Sequence, residues 1–190
     1  MARERATDTT ALVAAAAQTF HRKGYRNATI DDIAEAAGIS RPTVYKYTRS
    51  KQQLLDLMVD VVTGELTVTL ERILTNGESA ELRLRATIDA HIATATAQRT
   101  FYAIVFSEEV ELSERGRATF RAWAHDRTQD FRDLLTECLP PGSPIDPAVA
   151  ANLVLSMLVT LYRWYDPAGP VSPDRLREQI ELVLAGLFTG

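Results

Sequence analysis

The chain has 190 residues, 46% of them hydrophobic, which suffices for one domain with a substantial core or for a small module joined to a larger one. Its net charge of −4 argues against a protein that binds nucleic acid over its whole surface. The single cysteine, Cys138, excludes a disulfide framework and a four-cysteine zinc site, and the charged N-terminus lacks the apolar segment of a signal peptide, so we expect a reducing, cytoplasmic setting.

The charge is unevenly distributed along the chain. Residues 1–51 contain nine Lys or Arg and five Asp or Glu, a net charge of +4, whereas residues 52–190 contain twelve and twenty, a net charge of −8. All three lysines, Lys23, Lys46 and Lys51, lie in the basic part. This asymmetry predicts that only the N-terminal quarter meets a polyanion. An ordinary solvated basic surface explains the charge alone equally well.

Apolar periodicity and capping signals predict a succession of helices. In chain order they cover about residues 8–23, 30–37, 41–47, 51–74, 80–97, 114–139, 147–165 and 173–188, with a short aromatic segment at 101–106. No segment shows the sustained alternation of a β-strand. We therefore expect an all-α chain of about nine helices, divided into a three-helix domain over residues 1–51 and a larger helical domain over 52–190.

The stretch 29–51, TIDDIAEAAGISRPTVYKYTRSK, has the features of a helix-turn-helix. Thr29, with Asp32 three residues later, marks the start of one short helix, and Gly38 ends it. Ser40 caps the next helix, where Pro42 is tolerated in the first turn. That second helix is predicted to project polar and aromatic side chains toward base edges or phosphates in a major groove. A helical hairpin inside a bundle would show similar spacing.

The segment ATIDDIAEAAGISRPTVYKYTRSKQQLL, preceded by FHRKGY, resembles the DNA-binding segment of the tetracycline-repressor (TetR) family over about residues 8–60. The resemblance implies a three-helix DNA-binding domain, a larger helical ligand-binding and dimerisation domain, and a homodimer that binds a palindromic operator. The family usually has phenylalanine where Thr48 stands, which bears on the packing beneath the second helix.

The candidate DNA-binding residues combine the exposed positions of this stretch with the positions that match the family's DNA contacts. They are Thr29, Ser40, Arg41, Pro42, Thr43, Tyr45, Lys46, Tyr47 and Lys51. Lys51 opens a long helix, where its ammonium and the free N–H groups of the first turn are expected to hold one phosphate. Arg3 and Arg5 form either a minor-groove arm or a plain charged tail.

The last two predicted helices are apolar most of the way round, which predicts burial on more than one side. The residues concerned are Leu153, Val154, Met157, Leu158, Leu161, Tyr162, Trp164, Ile180, Leu182, Val183, Leu184, Leu187 and Phe188. A homodimer interface formed by these helices explains the pattern, and the family resemblance implies the same; a monomer core is the alternative. The apolar run 148–162 is shorter than the roughly 20 residues of a membrane span, so we expect no membrane contact.

Aromatic residues of the middle helices are candidates for an effector pocket, although core packing is the alternative for each one. The candidate ligand-binding residues are His91, Phe101, Tyr102, Phe106, Phe120 and Trp123. The segments LYRWYDPAGPVSPDRL and FSEEVELSERGRATFR are similar to the C-terminal region of TetR regulators that sense acyl-CoA thioesters. This similarity implies a hydrophobic or acyl-CoA-like effector; an aromatic drug-like compound or another hydrophobic metabolite remains open.

The sequence contains no motif for nucleophilic catalysis, dinucleotide binding or a phosphate-binding loop, and no metal-ligand spacing, so we expect no catalytic residue, metal or cofactor. The resemblance, together with the helix-turn-helix residues, implies a ligand-responsive transcriptional regulator, a repressor in preference to an activator, that leaves its operator when the effector binds. A small helical enzyme with a carboxylate-based site is the alternative.

Overall fold

The structure is a computed structural model that describes the backbone of residues 2–185 and the side chains of residues 9–185. Within this part of the chain the regular structure is helical and contains no strand, so the predicted all-α fold is confirmed. The elements are α1 (Ala2–Lys23), α2 (Ile30–Ala37), α3 (Arg41–Val44), α4 (Lys51–Leu74), α5 (Ala80–Ala97), α6 (Arg99–Ser107), α7 (Glu114–Cys138), α8 (Pro147–Val159), α9 (Leu161–Trp164) and α10 (Pro173–Ala185), with a 3-10 turn at Glu109–Glu111.

Element boundaries differ from the prediction at α1 and at the helix predicted over 147–165. Helix α1 begins at Ala2, so Arg3 and Arg5 lie on a helical backbone, and their side chains fall outside the described residues. Thr160 divides the helix predicted over 147–165 into α8 and α9. If α8 and α9 are counted as that one helix, the described helices agree with the predicted number of about nine.

The chain divides into two compact units by backbone contacts. The first unit contains Met1–Val62 and Thr100–Phe120, and the second contains Thr63–Arg99 and Arg121–Gly190. Helices α4, α6 and α7 therefore contribute residues to both units. The functional boundary at residue 51 rests on the sequence and stays a prediction.

The core of the first unit joins α1, α2 and the first half of α4. Phe20 of α1 meets the ring of Tyr25 edge-on, with 5.0 Å between ring centres. The fully or almost fully buried apolar residues here include Leu12, Val13, Ala16, Ile33, Val44, Leu54, Leu55, Met58 and Val59. Burial of these side chains supplies the hydrophobic free energy that holds the N-terminal helices and the first half of α4 together.

The core of the second unit is built around α5, which packs against α8, α9 and α10. Helix α5 buries Leu84, Ile88 and Ile92 on one face, at the three- and four-residue spacing of an amphipathic helix. Phe131 of α7 is fully buried in the same unit and lies 5.3 Å from the ring of His91.

The apolar residues of the last helices differ in their exposure, and Met157 and Tyr162 are half-buried. Five of them pack inside their own unit and are unavailable to a partner: Val154, Leu158, Leu161, Ile180 and Leu184. Others are exposed: Leu153, Trp164, Leu182 and Val183, together with Val149. Leu187 and Phe188 lie outside the described residues. Fewer residues are therefore available to a dimer interface than the apolar pattern of the sequence predicts, because the others pack in the subunit's own core.

One stretch of the described residues, Pro147–Trp164, is long and apolar enough to cross a membrane by length and composition, with a mean hydropathy of 1.2. Core helices of folded domains meet the same test. Here 39% of the stretch is buried inside the fold, including Ala151 and Leu158, which have no exposed surface.

Candidate nucleic-acid interface

Helix α2 begins with a complete capping box at Thr29. The Thr29 hydroxyl accepts from the N–H of Asp32 at 3.2 Å, and the Asp32 carboxylate accepts from the N–H of Thr29 at 2.9 Å. Lys23 of α1 donates to the other oxygen of Asp32 at 2.6 Å. The lysine, together with the Thr29 hydrogen bonds, lowers the pKa of Asp32 to about 2. The start of α2 is thus tied to the end of α1.

The turn between α2 and α3 depends on Gly38. Its φ of 65° and ψ of 26° place it in the left-handed region, which favours glycine. The N–H of Gly38 donates to the Glu35 carbonyl at 3.1 Å, and the N–H of Ile39 donates to that of Ala34 at 3.0 Å. These bonds satisfy the last carbonyls of α2 and turn the chain sharply into α3.

Helix α3 is short and is fixed at both ends. Ser40 caps it by accepting from the N–H of Thr43 at 3.3 Å, and the two side-chain oxygens lie 2.8 Å apart. At the other end Val44 is completely buried. The α-helix ends at Val44, and the predicted continuation to Tyr47 is a turn, in which the N–H groups of Tyr47 and of the following Thr48 donate to the Val44 carbonyl.

The outer face of α3 and its turn carries polar and aromatic side chains. Arg41, Pro42 and Lys46 are exposed, and Tyr45 is 46% exposed. Thr43 and Tyr47 are half-buried, with Thr43 engaged by Ser40. The Arg41 guanidinium pairs with Asp31 of α2 at 3.0 Å and lies 5.8 Å from the Tyr45 ring centre. This face has the donors, aromatic surface and charge that a DNA groove contact uses.

Lys51 is the candidate whose placement differs most from the prediction. Its ammonium donates to the backbone carbonyls of Tyr25 at 2.7 Å and Arg26 at 3.1 Å, and lies 4.9 Å from the Tyr25 ring centre. Lys51 is half-buried and ties the first turn of α4 to the loop between α1 and α2. An ammonium has three donors, so one remains beyond these two bonds.

Thr48, where the family usually has phenylalanine, is 2% exposed. Its hydroxyl donates to the Ser50 carbonyl at 2.9 Å and lies 3.4 Å from the side-chain oxygen of Gln53. That oxygen accepts from the N–H of Arg49 at 2.8 Å, while the N–H of Gln53 donates to the Ser50 hydroxyl. Hydrogen bonds of Thr48, Ser50 and Gln53 therefore fix the entry to α4.

The candidate ligand-binding residues are divided between the two units. In the first unit Tyr102, Phe106 and Phe120 form an aromatic cluster: Tyr102 and Phe106 stack at 5.7 Å between ring centres, and Phe106 meets Phe120 edge-on at 5.1 Å. Phe101 is half-buried in the same unit. His91 and Trp123 belong to the second unit, and both are buried.

His91 is a buried neutral imidazole. Burial, assisted by the positive charge of Arg127, lowers the pKa of His91 to about 3. Its Nε2 has no hydrogen-bond partner among the described residues, and the same holds for the hydroxyl of Thr87 one turn earlier on α5. Sequence reasoning missed Thr87, although its four-residue spacing from His91 places both on one helix face. Unsatisfied buried polar groups are costly and rare in folded proteins, so this pair stands out within the core.

A capped helix, a glycine turn and a second helix with an exposed polar face define a DNA-binding protein of the helix-turn-helix class. Residues 12–58 match the family model described as bacterial regulatory proteins, tetR family. Residues 77–187 match the model described as tetracyclin repressor-like, C-terminal domain. The chain therefore belongs to the TetR family, as the sequence resemblance predicted.

Comparisons along the whole chain agree with this family assignment. The chain is 28% identical over 186 residues to the HTH-type transcriptional repressor KstR2 of Rhodococcus jostii (strain RHA1), covering 94% of this chain and 90% of that protein. The structure of the ketosteroid transcriptional regulator KstR2 of Mycobacterium tuberculosis aligns with a TM-score of 0.85 at 21% identity, over 96% of this chain and 95% of that one. AibR in complex with isovaleryl coenzyme A and operator DNA aligns with a TM-score of 0.80 at 21% identity, over 95% and 98%. At these identities the two structures establish the shared fold.

The relatives are named as transcriptional regulators and not as enzymes, which sets aside the alternative of a helical enzyme with a carboxylate-based site. In the part of the chain that the structure describes, no three His, Cys, Asp or Glu side chains are grouped so that they could hold a metal ion.

Proposed function

We propose that this protein is a homodimeric repressor that binds a palindromic operator through α3 and leaves it when a hydrophobic or acyl-CoA-like effector binds among the C-terminal helices. The observation that carries the proposal is the exposed face formed by Arg41 of α3 and by Tyr45 and Lys46 of the turn after it, behind which Val44 is buried. Such a face is built to present side chains outward, since the backbone behind it has little freedom.

The predicted DNA contacts divide by their position. Arg41, Tyr45 and Lys46 lie on the exposed face and are assigned to base edges and phosphates. The other candidates flank this face at the helix starts and the turn: Thr29, Ser40, Pro42, Thr43 and Tyr47. Lys51 is assigned a supporting role, because two of its donors hold the loop between α1 and α2; its third donor remains for a phosphate.

The exposed apolar side chains of α8 and α10 support a homodimer formed by these two helices from each subunit. Leu153 is 65% exposed on α8 and Val183 is 68% exposed on α10. Both helices pack against α5, and exposed apolar residues concentrated in one region mark a protein interface. A two-fold dimer also matches a palindromic operator whose half-sites are about 34–36 Å apart.

The buried polar groups of α5 support an effector site in the second unit. Thr87 and His91 each carry an unsatisfied atom, and a neutral imidazole suits an uncharged oxygen such as a carbonyl. An effector shifts the repressor toward a form that releases DNA only if it binds that form better. Helix α4 runs without interruption from the DNA-binding segment to Leu74, so it is the element assigned to carry the change.

Two further assignments rest on the family and the sequence. The DNA-binding function is assigned to residues 1–51, and ligand binding and dimerisation to 52–190. The protein is assigned to the cytoplasm with no membrane contact, because its proposed target is the operator.

The proposal is tested by selecting bound sequences from random DNA. We expect the protein to enrich a palindrome, with an affinity that falls steeply as salt rises.

Tyr45→Ala should weaken binding to that palindrome on the order of tenfold while leaving the dimer intact, as expected for a lost groove contact. Repeating the selection with isovaleryl coenzyme A tests the acyl-CoA assignment directly. A protein that enriches no sequence even at low salt would contradict the proposed function.

A further inference from the structure

Arg41, the first residue of α3, is held on two sides by residues of its own chain. Its Nη1 donates to Asp31 of α2 at 3.0 Å, and its guanidinium carbon lies 5.8 Å from the centre of the Tyr45 ring. A side chain that is already ordered loses less conformational entropy when it makes a directed contact. The ordered Arg41 side chain is therefore suited to a partner that requires hydrogen bonds of a fixed direction.

The stability of the fold does not explain this ion pair. The Arg41 side chain is 56% exposed and that of Asp31 is 62% exposed, and exposed pairs contribute little to folding. The neighbouring Lys23–Asp32 pair differs, because its carboxylate also closes the capping box of α2. The Asp31–Arg41 pair connects the outer sides of α2 and α3 only.

The charge of the pair favours a base edge over a phosphate. A phosphate contact gains affinity from positive charge that releases counterions. The carboxylate of Asp31 offsets the charge of Arg41 and is itself repelled by a phosphate. Guanine presents two uncharged acceptors, O6 and N7, in the major groove, and they match the guanidinium fork. A guanidinium has five N–H donors, so the bond to Asp31 leaves enough for both acceptors.

We propose that Arg41 reads one guanine in each operator half-site and that Asp31 is the positioning residue that aims the guanidinium. This inference rests on the proposed DNA-binding function and names the base that α3 recognises. The N-terminal residues of a recognition helix are the ones that reach base edges. The Ser40 cap and the buried Val44 fix the backbone from which Arg41 projects.

The test measures base preference position by position, by selection from random DNA followed by competition binding. The wild type should prefer guanine at one position of each half-site by about tenfold or more. Arg41→Lys keeps the charge but removes the planar fork, so it should reduce this preference without abolishing it, because an ammonium can still donate to guanine. Asp31→Asn should reduce the preference at the same position and leave the others unchanged. The double variant should be no worse there than Arg41→Lys alone, because both act on one contact.

Arg26→Lys is the matched control. Arg26 is an exposed arginine of the same unit that is also ion-paired, with Glu111 at 3.5 Å, and the chemical change is identical. It should leave every base preference unchanged.

Three outcomes would overturn the inference. If Arg41→Lys weakens binding equally on all sequences and keeps the guanine preference, Arg41 is a phosphate contact. If Asp31→Asn leaves the preference intact, Asp31 does not position Arg41. If wild type shows no guanine preference that depends on Arg41, the base assignment is wrong. Each differs from failure of the proposed function, in which the wild type enriches no sequence at all.

Discussion

The carboxylate of Asp32 joins two helices of the DNA-binding segment. One oxygen accepts from Lys23 of α1 and the other from the N–H of Thr29 at the start of α2. Both contacts stabilise the charged form, which is why the pKa of Asp32 lies at about 2, below its ordinary value of 3.8. A carboxyl whose pKa is lowered by folding stabilises the folded state above its unfolded pKa, and this contribution disappears as the pH falls through its folded pKa.

We therefore expect a pH-dependent difference between the wild type and Asp32→Asn. The free energy of unfolding should favour the wild type at pH 6, and the difference should shrink as the pH falls from about 4 toward 2. Denaturant unfolding across this range measures it. In Lys23→Gln, which removes the largest cause, the NMR titration midpoint of Asp32 should rise toward 3.8. A midpoint that stays near 2 in that variant would show that Lys23 is not the cause.

The caps and turns of the DNA-binding segment are features that the sequence predicts well. Thr29, Gly38 and Ser40 lie where local rules place them, because caps and turns depend on neighbours within four residues. The contacts of Lys51 were not predicted, since the carbonyls it binds are 25 and 26 residues away in the chain. The partner of Arg41 was missed for the same reason: Asp31 lies ten residues earlier, on another helix.

At the scale of elements, the first turns of α4 and α7 approach one another closely. Asp56 of α4 accepts from the N–H of Ser113, the residue before α7, at 3.1 Å. A Cβ placed on Gly116 would clash with Oδ1 of Asp56 and lie 2.9 Å from its Cγ. Gln52 donates to the Glu111 carbonyl at 3.0 Å, on the same side of α4. Glycine at 116 is thus required by a neighbouring helix and not by its own backbone.

This packing predicts that Gly116→Ala has opposite effects on the free energy of unfolding in the wild type and in Asp56→Ala. In the wild type the new methyl group displaces Asp56 and should destabilise the fold by about 1–3 kcal/mol. In Asp56→Ala the obstacle is gone, and alanine in a helix should stabilise by up to about 1 kcal/mol relative to glycine. Denaturant unfolding of the four proteins of this double-mutant cycle measures the coupling. Equal effects in both backgrounds would show that α4 and α7 do not meet at this glycine.

The sequence predicted the presence of each of these helices, but it predicted the positions of their ends less accurately. The run of apolar residues fixes α4 and α7, whereas α3 ends at Val44, three residues before its predicted end. The helix ends earlier because the N–H groups of Tyr45–Tyr47 bond to carbonyls of α3 in turns. The spacing of apolar residues does not distinguish such turns from a continuing helix.

For the whole molecule, the apolar pattern of the last helices has two causes that the sequence cannot separate. Leu158 and Leu153 have equal hydrophobicity, yet Leu158 has no exposed surface while Leu153 is 65% exposed. A substitution at Leu158 would disrupt the subunit's own core, so it cannot report on association. The exposed residues of α8 and α10 are the ones that do.

Leu153→Arg is expected to dissociate the homodimer without unfolding the subunit. A charge placed in an apolar interface is desolvated without a partner, whereas in the free subunit it stays in water. Sedimentation velocity should show monomers of 21.1 kDa, and circular dichroism should show unchanged helix content. The matched control is Val68→Arg, the same kind of change at a 57% exposed apolar residue on α4, which should leave the dimer intact. Because a palindrome is held by two linked subunits, the monomeric variant should also lose most of its operator affinity. A Leu153→Arg protein that stays dimeric would remove α8 from the interface.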